Sequence, residues 1–566
     1  MRNRSALAGI LFLFIALSLP AIIYSQQGKS ATRAGSPERP AGSKTAPGGK
    51  SVTAAVVKND LGEALSIIQE NYIDGQKLDY NSVFKSSING MLSVLDPHST
   101  YFDPVEFAAF KTEQRSEYFG IGATIGDLRQ DDSVNTYIRA TFQDAPAARA
   151  GLRFGDRILE VDGQSMRGKT YPEVRKFLIG PRGTKVKVTV QHAATGKVET
   201  VEITRDAVSL PSIPQAYMVK PGVGYVAMTG GFNLTTADEF KTALTDLHSK
   251  GMNQLVLDLR GNRGGLLIQA VRVADQFLQR GQLIVTQKGR IQGSSDTFTA
   301  LNEDPDTTPL VVLVNDQTAS AAEIVAGALQ DHDRALIVGE TTFGKGLVQY
   351  PYSLKYESAL LLTVAKYFTP SGRLIQRDYS NGGFYDYYTH GGSVKDGKPQ
   401  TQPLGPESLT DTGRKVYGGG GITPDEVVKP NAGNRVQVRL QDPIFAFSLE
   451  LTSGHIPGFD KYVIQRPITY GHDVQATDFP VTDALFKALK DFVATKPTFK
   501  VSGEQLNQER QFVEKDLRFD LATAAFGYTA AQQVLYIDDP QIARAIEVMP
   551  RARELALAAL RAHPRS

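Results

Sequence analysis

Asn315–Gln349, NDQTASAAEIVAGALQDHDRALIVGETTFGKGLVQ, is the stretch around which the rest of the chain is organised. The apolar run Leu310–Val314 leads into it and predicts a buried strand of a parallel sheet, and Ala321–Leu329 predicts a helix. Ser320 therefore stands at a helix N-terminus. Free backbone N–H groups and the helix dipole at such a position favour an oxyanion forming beside the serine hydroxyl.

A lysine follows the serine in the same stretch. A second apolar run, Ala335–Val338, leads to the triplet Gly344–Gly346, whose glycines let the backbone approach closely and enclose Lys345. Burial lowers the pKa of a lysine towards the range in which the amine can accept a proton from serine. Gln349, four residues on, carries an amide that can hold this amine. The alternative interpretation of each residue taken singly is an ordinary one. A serine before a helix is most often only an N-cap, and a lysine between glycines is most often a solvated loop residue.

Together the segments TASAAEI and GKGLVQ form a pattern that closely resembles the catalytic Ser-Lys-Gln constellation of the carboxyl-terminal processing peptidases, also called tail-specific proteases. The resemblance extends from about Val57 to Val428. It implies a serine-type endopeptidase in which Ser320 forms an acyl-enzyme, Lys345 acts as general base and Gln349 orients the lysine. The resemblance implies no cofactor.

A glycine-rich loop upstream resembles a second part of the same catalytic site. A strand predicted over Gln254–Leu259 runs into DLRGNRGG, Asp258–Gly265, and binding sites in open α/β sheets collect at such strand ends. The family carries a DLRxNxGG segment here that supplies an oxyanion-hole amide. The resemblance assigns this role to Gly264 or Gly265, together with the backbone N–H of Ala321.

Further motifs of the family are LDPHS at Leu95–Ser99, YFTPSGR at Tyr367–Arg373 and GITPD at Gly421–Asp425. His98, in the first of them, could be offered as a catalytic base, but a structural turn histidine is the favoured interpretation. Ser371 stands between a proline and a glycine, hence in a turn, and is interpreted as structural.

Residues 117–206 alternate short β-like runs with turns. The segments APAARAGL, Ala145–Leu152, and GDRILEVDG, Gly155–Gly163, strongly resemble a PDZ domain. In that resemblance a carboxylate-binding loop offers successive backbone N–H groups to a peptide C-terminus, and the helix Tyr171–Leu178 flanks the peptide groove. The peptide-binding residues that the resemblance assigns are Phe119, Gly120, Ile121, Gly122, Val174 and Leu178. The implied partners are protein or peptide substrates with free, apolar C-termini, and the alternative is that the PDZ unit is only a rigid spacer.

The N-terminal sequence predicts a targeting segment. Arg2 and Arg4 precede the apolar run Ala6–Tyr24, which predicts either a cleaved signal peptide or an uncleaved single-span membrane anchor. In both cases the rest of the chain is exported, so the expected location is the periplasm or the extracytoplasmic face of the inner membrane. Residues 26–55 are rich in Gly, Ser, Pro and Lys and predict a disordered linker.

The whole chain is expected to combine α/β and β units in several domains. The predicted divisions are a signal peptide or anchor at 1–25, a linker at 26–55, an N-terminal helical domain at 56–116, a PDZ domain at 117–206, a serine–lysine peptidase core with a mostly parallel sheet at 207–432, and a helical C-terminal extension at 433–566. In the extension, helices are expected at Pro480–Val493, Gln505–Phe526 and Pro540–Arg561, and no chemistry is predicted there.

Composition narrows the classes of function. The net charge of +2 is not concentrated into blocks and gives no indication of nucleic acid binding. The absence of cysteine excludes disulfides, thiolate zinc sites and a cysteine nucleophile, and none of the eight histidines forms H-x-H or H-E-x-x-H. A P-loop match that ends at Lys345 fails because Gly346 stands where Ser or Thr should ligate magnesium. The rival prediction is a non-catalytic PDZ scaffold or regulator that binds protein C-termini, and the sequence predicts no particular oligomeric state.

Overall fold

The computed structural model describes residues 53–130, 133–380, 387–388, 405–464 and 466–562. The predicted signal peptide or anchor, most of the predicted linker and most of the segment 381–404 lie outside the described residues. Within the described ranges no helix combines the length and the apolar character needed to cross a membrane. The domain limits proposed from the sequence remain predictions.

The N-terminal part contains α1 (Ala54–Asn71), α2 (Tyr80–Leu92), β1 (Thr100–Phe102) and α3 (Pro104–Glu113). Helix α3 begins at a capping box in which Asp103 and Glu106 bond each other's backbone N–H. The apolar residues of α1 recur at helical spacing, but they are not buried. Leu61 and Ile68 are exposed, and α1 has no buried residue. Strand β1 ties this part to the rest of the chain by pairing with Ala359–Leu361.

The next part of the chain is rich in strands. Its elements are β2 (Glu117–Gly120), β3 (Ala123–Gln130), β4 (Ser133–Thr141), α4 (Pro146–Arg149), β5 (Arg157–Val161), β6 (Gln164–Ser165), α5 (Tyr171–Leu178), β7 (Lys185–Gln191), β8 (Val198–Thr204) and β9 (Asp206–Ser209). Strands β3, β4, β5, β7 and β8 form an antiparallel sheet with β6 beside β5, while β2 pairs with β9. Ile138, Val161 and Val188 lie in one buried cluster, as strands with one covered face require.

The central part of the chain alternates strands and helices. Its elements are β10 (Gln215–Lys220), β11 (Val223–Ala227), α6 (Thr236–Ser249), β12 (Gln254–Asp258), α7 (Leu267–Asp275), β13 (Leu283–Gly289), β14 (Asp296–Thr299), β15 (Leu310–Val314), α8 (Ala321–Asp331), β16 (Leu336–Gly339), β17 (Leu347–Ser353), β18 (Ala359–Phe368), β19 (Glu407–Leu409), β20 (Lys415–Tyr417) and β21 (Glu426–Val427). Every residue of α8 is buried, so this helix runs through the core.

Two sheets organise this central part. The first has the strand order β10-β11-β12-β15-β16-β21, with β10 antiparallel to β11 and the other neighbours parallel. The second contains β1, β18, β13 and β14, with β17 on β18, and is antiparallel. The sequence predicts a mostly parallel sheet for the peptidase core, and this prediction is not confirmed for the core as a whole, because its second sheet is antiparallel. Over the described residues, antiparallel strand pairs prevail.

The C-terminal part is helical: α9 (Arg435–Thr452), α10 (Asp483–Ala494), α11 (Gly503–Gln508), α12 (Arg510–Phe526), α13 (Tyr528–Tyr536), α14 (Pro540–Glu547) and α15 (Met549–Ala562). The helix expected at 505–526 is interrupted at Glu509, whose carboxylate accepts hydrogen bonds from Asn434 and Gln437 at the start of α9. The helix expected at 540–561 is interrupted at Val548, because Pro550 has no N–H to continue it.

This C-terminal part contacts both neighbouring regions. Helices α14 and α15 pack Ile542 and Ala552 against one face of the first sheet, together with Val548 between the two helices. Helix α9 meets the β-rich part, where the guanidinium of Arg139 lies 3.5 Å from the ring centroid of Phe445. The extension therefore completes the burial of apolar surface on two other parts of the chain.

Candidate active site

Ser320 occupies a strained position between β15 and α8. Its backbone angles, φ of +57° and ψ of −119°, lie outside the regions that residues with a Cβ ordinarily adopt. A backbone conformation of this kind typically costs about 1–3 kcal/mol of stability. Contacts on both sides hold this conformation: the N–H donates to Glu323 and the C=O accepts from the hydroxyl of Tyr367. Ser320 therefore lies directly before a buried helix, which is the position that the sequence predicts for it.

Glu323 connects the serine with the loop that carries the lysine. Its fully buried carboxylate accepts the N–H of Ser320 at 2.8 Å, the N–H of Gly344 at 2.7 Å and the N–H of Lys345 at 2.9 Å. The hydroxyl of Thr342 donates to the same carboxylate at 2.5 Å. Burial raises the pKa of Glu323, while these donors favour its charged form. One carboxylate thus fixes two segments that are more than twenty residues apart in sequence.

Tyr367 fixes the same two segments from their carbonyl side. Its hydroxyl lies 2.9 Å from the backbone oxygen of Ser320 and 2.7 Å from that of Lys345. The ring is almost completely buried, and burial raises the pKa of Tyr367, so the phenol keeps its proton. The tyrosine belongs to the YFTPSGR motif, but the sequence does not reveal that it spans the serine and the lysine.

The side chain of Lys345 has the electrostatic character that the sequence predicts. Enclosure by protein lowers the pKa of its amine to about 8, against a smaller opposing effect of the carboxylates of Asp96 and Glu323. The amine donates a hydrogen bond of 2.7 Å to Oε1 of Gln349. No hydrogen bond from this amine to the hydroxyl of Ser320 is present among the described residues. The lysine is therefore held by glutamine in this state, within the same loop assembly as the serine.

The LDPHS turn orients the glutamine. Nε2 of Gln349 donates 2.6 Å to the carbonyl of His98, and Asp96 holds the turn by accepting the N–H groups of His98 and Ser99. The imidazole itself bonds to the hydroxyl of Tyr387 at 2.6 Å. Burial, with a further effect of Lys345, lowers the pKa of His98 to about 2, which makes the ring a very weak base. These contacts support the interpretation of His98 as a structural residue.

The two glycines proposed for the oxyanion hole differ in what their N–H groups do. The N–H of Gly264 donates 2.8 Å to Oδ1 of Asn262. For Gly265 and Ala321 the described residues contain no acceptor for the backbone N–H. A Cβ on Gly264 would lie 2.7 Å from the Cβ of Ser320, so the loop directly adjoins the serine. Of the residues assigned from the sequence, Gly265 and Ala321 are thus the pair with N–H groups available to an oxyanion.

The predicted peptide-binding residues lie together in the β-rich part. Phe119 and Gly120 are on β2. The carbonyls of the next two residues, Ile121 and Gly122, accept the N–H groups of Ala147 in α4 and of Phe142 after β4. Val174 and Leu178 lie on α5 as expected, but both are packed in the core beside Ile121, with 0% and 3% of their surface exposed. A peptide side chain would therefore have to part α5 from its neighbours to reach them.

Comparisons with known proteins concern the family of the chain. Residues 222–382 match peptidase family S41, and residues 143–192 match the PDZ domain. The chain is 37% identical over 324 residues to the carboxy-terminal-processing protease of Bartonella bacilliformis, a match that covers 56% of this chain and 72% of the relative. It is 35% identical to the carboxy-terminal processing protease CtpA of Bacillus subtilis, over 58% of this chain and 69% of the relative. Among solved structures it is similar to the photosystem II D1 C-terminal processing protease, with 31% identity, a TM-score of 0.32, and coverage of 57% of this chain and 90% of that chain.

Glu323→Gln tests the connection between the two segments. The amide nitrogen would face backbone N–H donors, so part of the junction would open and the serine and lysine would separate. A misplacement of about 1 Å can cost about 100-fold in rate, and we expect a loss of that order in kcat/KM for an unstructured polypeptide. Glu303→Gln is the matched control, because that side chain is 78% exposed. Wild-type turnover by folded Glu323→Gln protein would contradict the proposed role.

The pH dependence of activity tests the lysine. A base with a pKa of about 8 is increasingly deprotonated as the pH rises, so kcat/KM should increase about tenfold per pH unit below 8 and level off above it. The measurement needs a substrate without groups that titrate between about pH 6 and 9. An inflection near the usual histidine pKa of about 6.5, or a flat profile, would argue against Lys345 as the base.

Proposed function

We propose a function from the finding that the chain belongs to peptidase family S41, together with the carboxy-terminal processing proteases described above. We propose that it is an exported serine endopeptidase that selects protein substrates by their C-terminal tails. The observation that carries the proposal is the shared anchorage of Ser320 and Lys345 on Glu323. A serine at a strained helix start and an enclosed lysine with a lowered pKa are the parts that acyl transfer without histidine requires.

The proposed reaction has two halves. Neutral Lys345 takes the proton of Ser320 as the serine oxygen attacks the scissile carbonyl, and the N–H groups of Gly265 and Ala321 stabilise the oxyanion. The lysine then gives its proton to the leaving amine, which departs and leaves the acyl-enzyme. Water attacks the ester while Lys345 takes a proton from it, and return of this proton to Ser320 releases the new C-terminus. Each half is balanced and needs no cofactor.

Gln349 holds the amine between these proton transfers. The amine bonds to Gln349 in the described state, so productive transfer requires it to turn towards the serine hydroxyl. Because the carbonyl of His98 fixes the amide of Gln349, the glutamine can keep one N–H of the lysine while another side of the amine faces Ser320.

Tail recognition and export are supported by different observations. The match to a PDZ domain and the segment Phe119–Gly122, which runs from the end of β2 into the two residues after it, support capture of a free carboxylate by backbone N–H groups. The two arginines and the apolar run 6–24 support export to the periplasm or the outer face of the inner membrane, with a cleaved signal peptide or a single-span anchor.

Ser320→Ala tests the nucleophile. We expect the variant to lose cleavage of an unstructured polypeptide and covalent labelling by a fluorophosphonate probe, because both need the serine oxygen. The matched control is Ser502→Ala, which removes a different N-cap hydroxyl and should cost about 1 kcal/mol of stability without loss of labelling. Full activity in Ser320→Ala would remove the proposed mechanism.

A peptide substrate with either a free or an amidated C-terminus tests tail recognition. Amidation removes the charge that the loop N–H groups would meet, and hydrogen bonds to charged groups contribute about 1.5–3 kcal/mol. We expect kcat/KM to fall about tenfold or more for the amidated peptide. Equal rates for the two peptides in the full-length enzyme would refute selection by the terminal carboxylate.

A further inference from the structure

The guanidinium of Arg260 stands at the entrance of the glycine-rich loop that leads to Ser320. Its Nε and Nη2 donate to the carboxylate of Asp258, at the end of β12, at 3.0 Å and 2.6 Å. The hydroxyl of Tyr225 donates 2.6 Å to the same carboxylate. Asp258 and Arg260 therefore form a tight ionic pair at the carboxyl end of the sheet.

The far side of this guanidinium is bound by the C-terminal extension. Its Nη1 lies 2.7 Å from Oδ2 of Asp539 and 2.7 Å from Oε1 of Gln541. Both acceptors are fixed in turn: Oδ1 of Asp539 caps helix α14, and Nε2 of Gln541 donates 2.6 Å to the carbonyl of Val428. The extension thus offers Arg260 two preorganised acceptors.

Burial increases the free-energy cost of losing one of these contacts. The side chains of Asp258, Arg260 and Asp539 are 3%, 13% and 16% exposed, so water cannot readily replace a lost partner. Removal of one member of such a buried pair leaves the other charge or donor without compensation, which is much more disruptive than the loss of a surface ion pair.

The loop that follows Arg260 carries the constraint to the nucleophile. The N–H of Gly261 donates to Oδ1 of Asn315, and the side chain of Asn262 donates to the carbonyl of Met228. The carbonyl of Asn262 then accepts the N–H of Ala319, the residue before Ser320. Oδ1 of Asn262 also accepts the N–H of Gly264, so the residue two positions after Arg260 is bonded both to the segment before Ser320 and to the first of the two glycines.

From this geometry we propose that Asp539 and Gln541 are positioning residues for the oxyanion hole, acting through Arg260, so that the C-terminal extension is part of the catalytic unit. This inference rests on the proposed serine peptidase function. It assigns a role to residues that lie outside the segment 222–382 matched by the peptidase family. The bonds to Arg260 keep the loop in the register in which the N–H of Gly265 faces the oxyanion.

Asp539→Ser is the most selective test. Serine is a good N-cap and preserves the start of α14, but it is too short to replace the carboxylate at Arg260. Peptide cleavage and inhibition by a peptide boronic acid are measured together, because the boronate mimics the tetrahedral intermediate. We expect kcat to fall about tenfold or more with KM nearly unchanged, and the boronate Ki to rise by the same factor as kcat/KM falls.

The control is Asp538→Ser, the same change at an exposed neighbour that makes no side-chain contact with Arg260. In an Arg260→Met background the Asp539→Ser change should have little further effect, since both act through one guanidinium. Wild-type kcat and boronate affinity in folded Asp539→Ser protein would overturn the proposal. If that variant does not fold, Gln541→Met decides by the same measurements: parallel losses support the proposal and wild-type values overturn it.

Failure of the underlying function would look different. If the protein is not a serine peptidase, the wild-type protein itself will not be inhibited by the boronate, whatever residue stands at position 539. If it works through a hydroxyl other than that of Ser320, Ser320→Ala protein will still be active and will still be inhibited. Inhibition of the wild type with no response at Asp539 or Gln541 would leave the peptidase assignment intact and refute the role of the extension alone.

Discussion

The buried carboxylate of Glu323 is the constraint on which the site depends. It is fully enclosed and would be costly to ionise without partners, yet it collects the backbone N–H groups of Ser320, Gly344 and Lys345 and the hydroxyl of Thr342. A hydrogen bond to a charged group typically contributes about 1.5–3 kcal/mol. The start of α8 and the lysine loop are therefore held in one relative position because this charge must be satisfied.

The surrounding fold supplies that junction with rigid supports. The parallel strands β15 and β16 deliver the serine and the lysine loop to the same edge of the sheet, and Tyr367 from β18 closes the junction on its carbonyl side. The LDPHS turn of the N-terminal part fixes Gln349, and the C-terminal extension binds Arg260 in the glycine-rich loop Asp258–Gly265. The candidate site is thus assembled from segments spread over most of the described chain.

Sequence reasoning was effective where the signal is local. The helix after Ser320, the strands on either side and the α5 helix follow from apolar periodicity and from caps, all of which act within a few residues. It could not identify Glu323 as the central acceptor, because its partners Gly344 and Lys345 are 21 and 22 residues away. The contact between Arg260 and Asp539 spans 279 residues and leaves no trace in local spacing. Apolar periodicity shows that Val174 and Leu178 share one face of α5. It cannot show whether that face lines an open peptide groove or packs in the core, as both residues do here.

The most direct test of the proposed mechanism is a crystal structure of the protein with a peptide boronic acid bound to it. We predict that boron is bonded to the Oγ of Ser320, that one boronate oxygen accepts the N–H groups of Gly265 and Ala321, and that the amine of Lys345 has turned to Oγ while Glu323 keeps its bonds to both segments. An adduct on another residue, or a boronate oxygen directed away from these two N–H groups with Lys345 remote from Oγ, would contradict it.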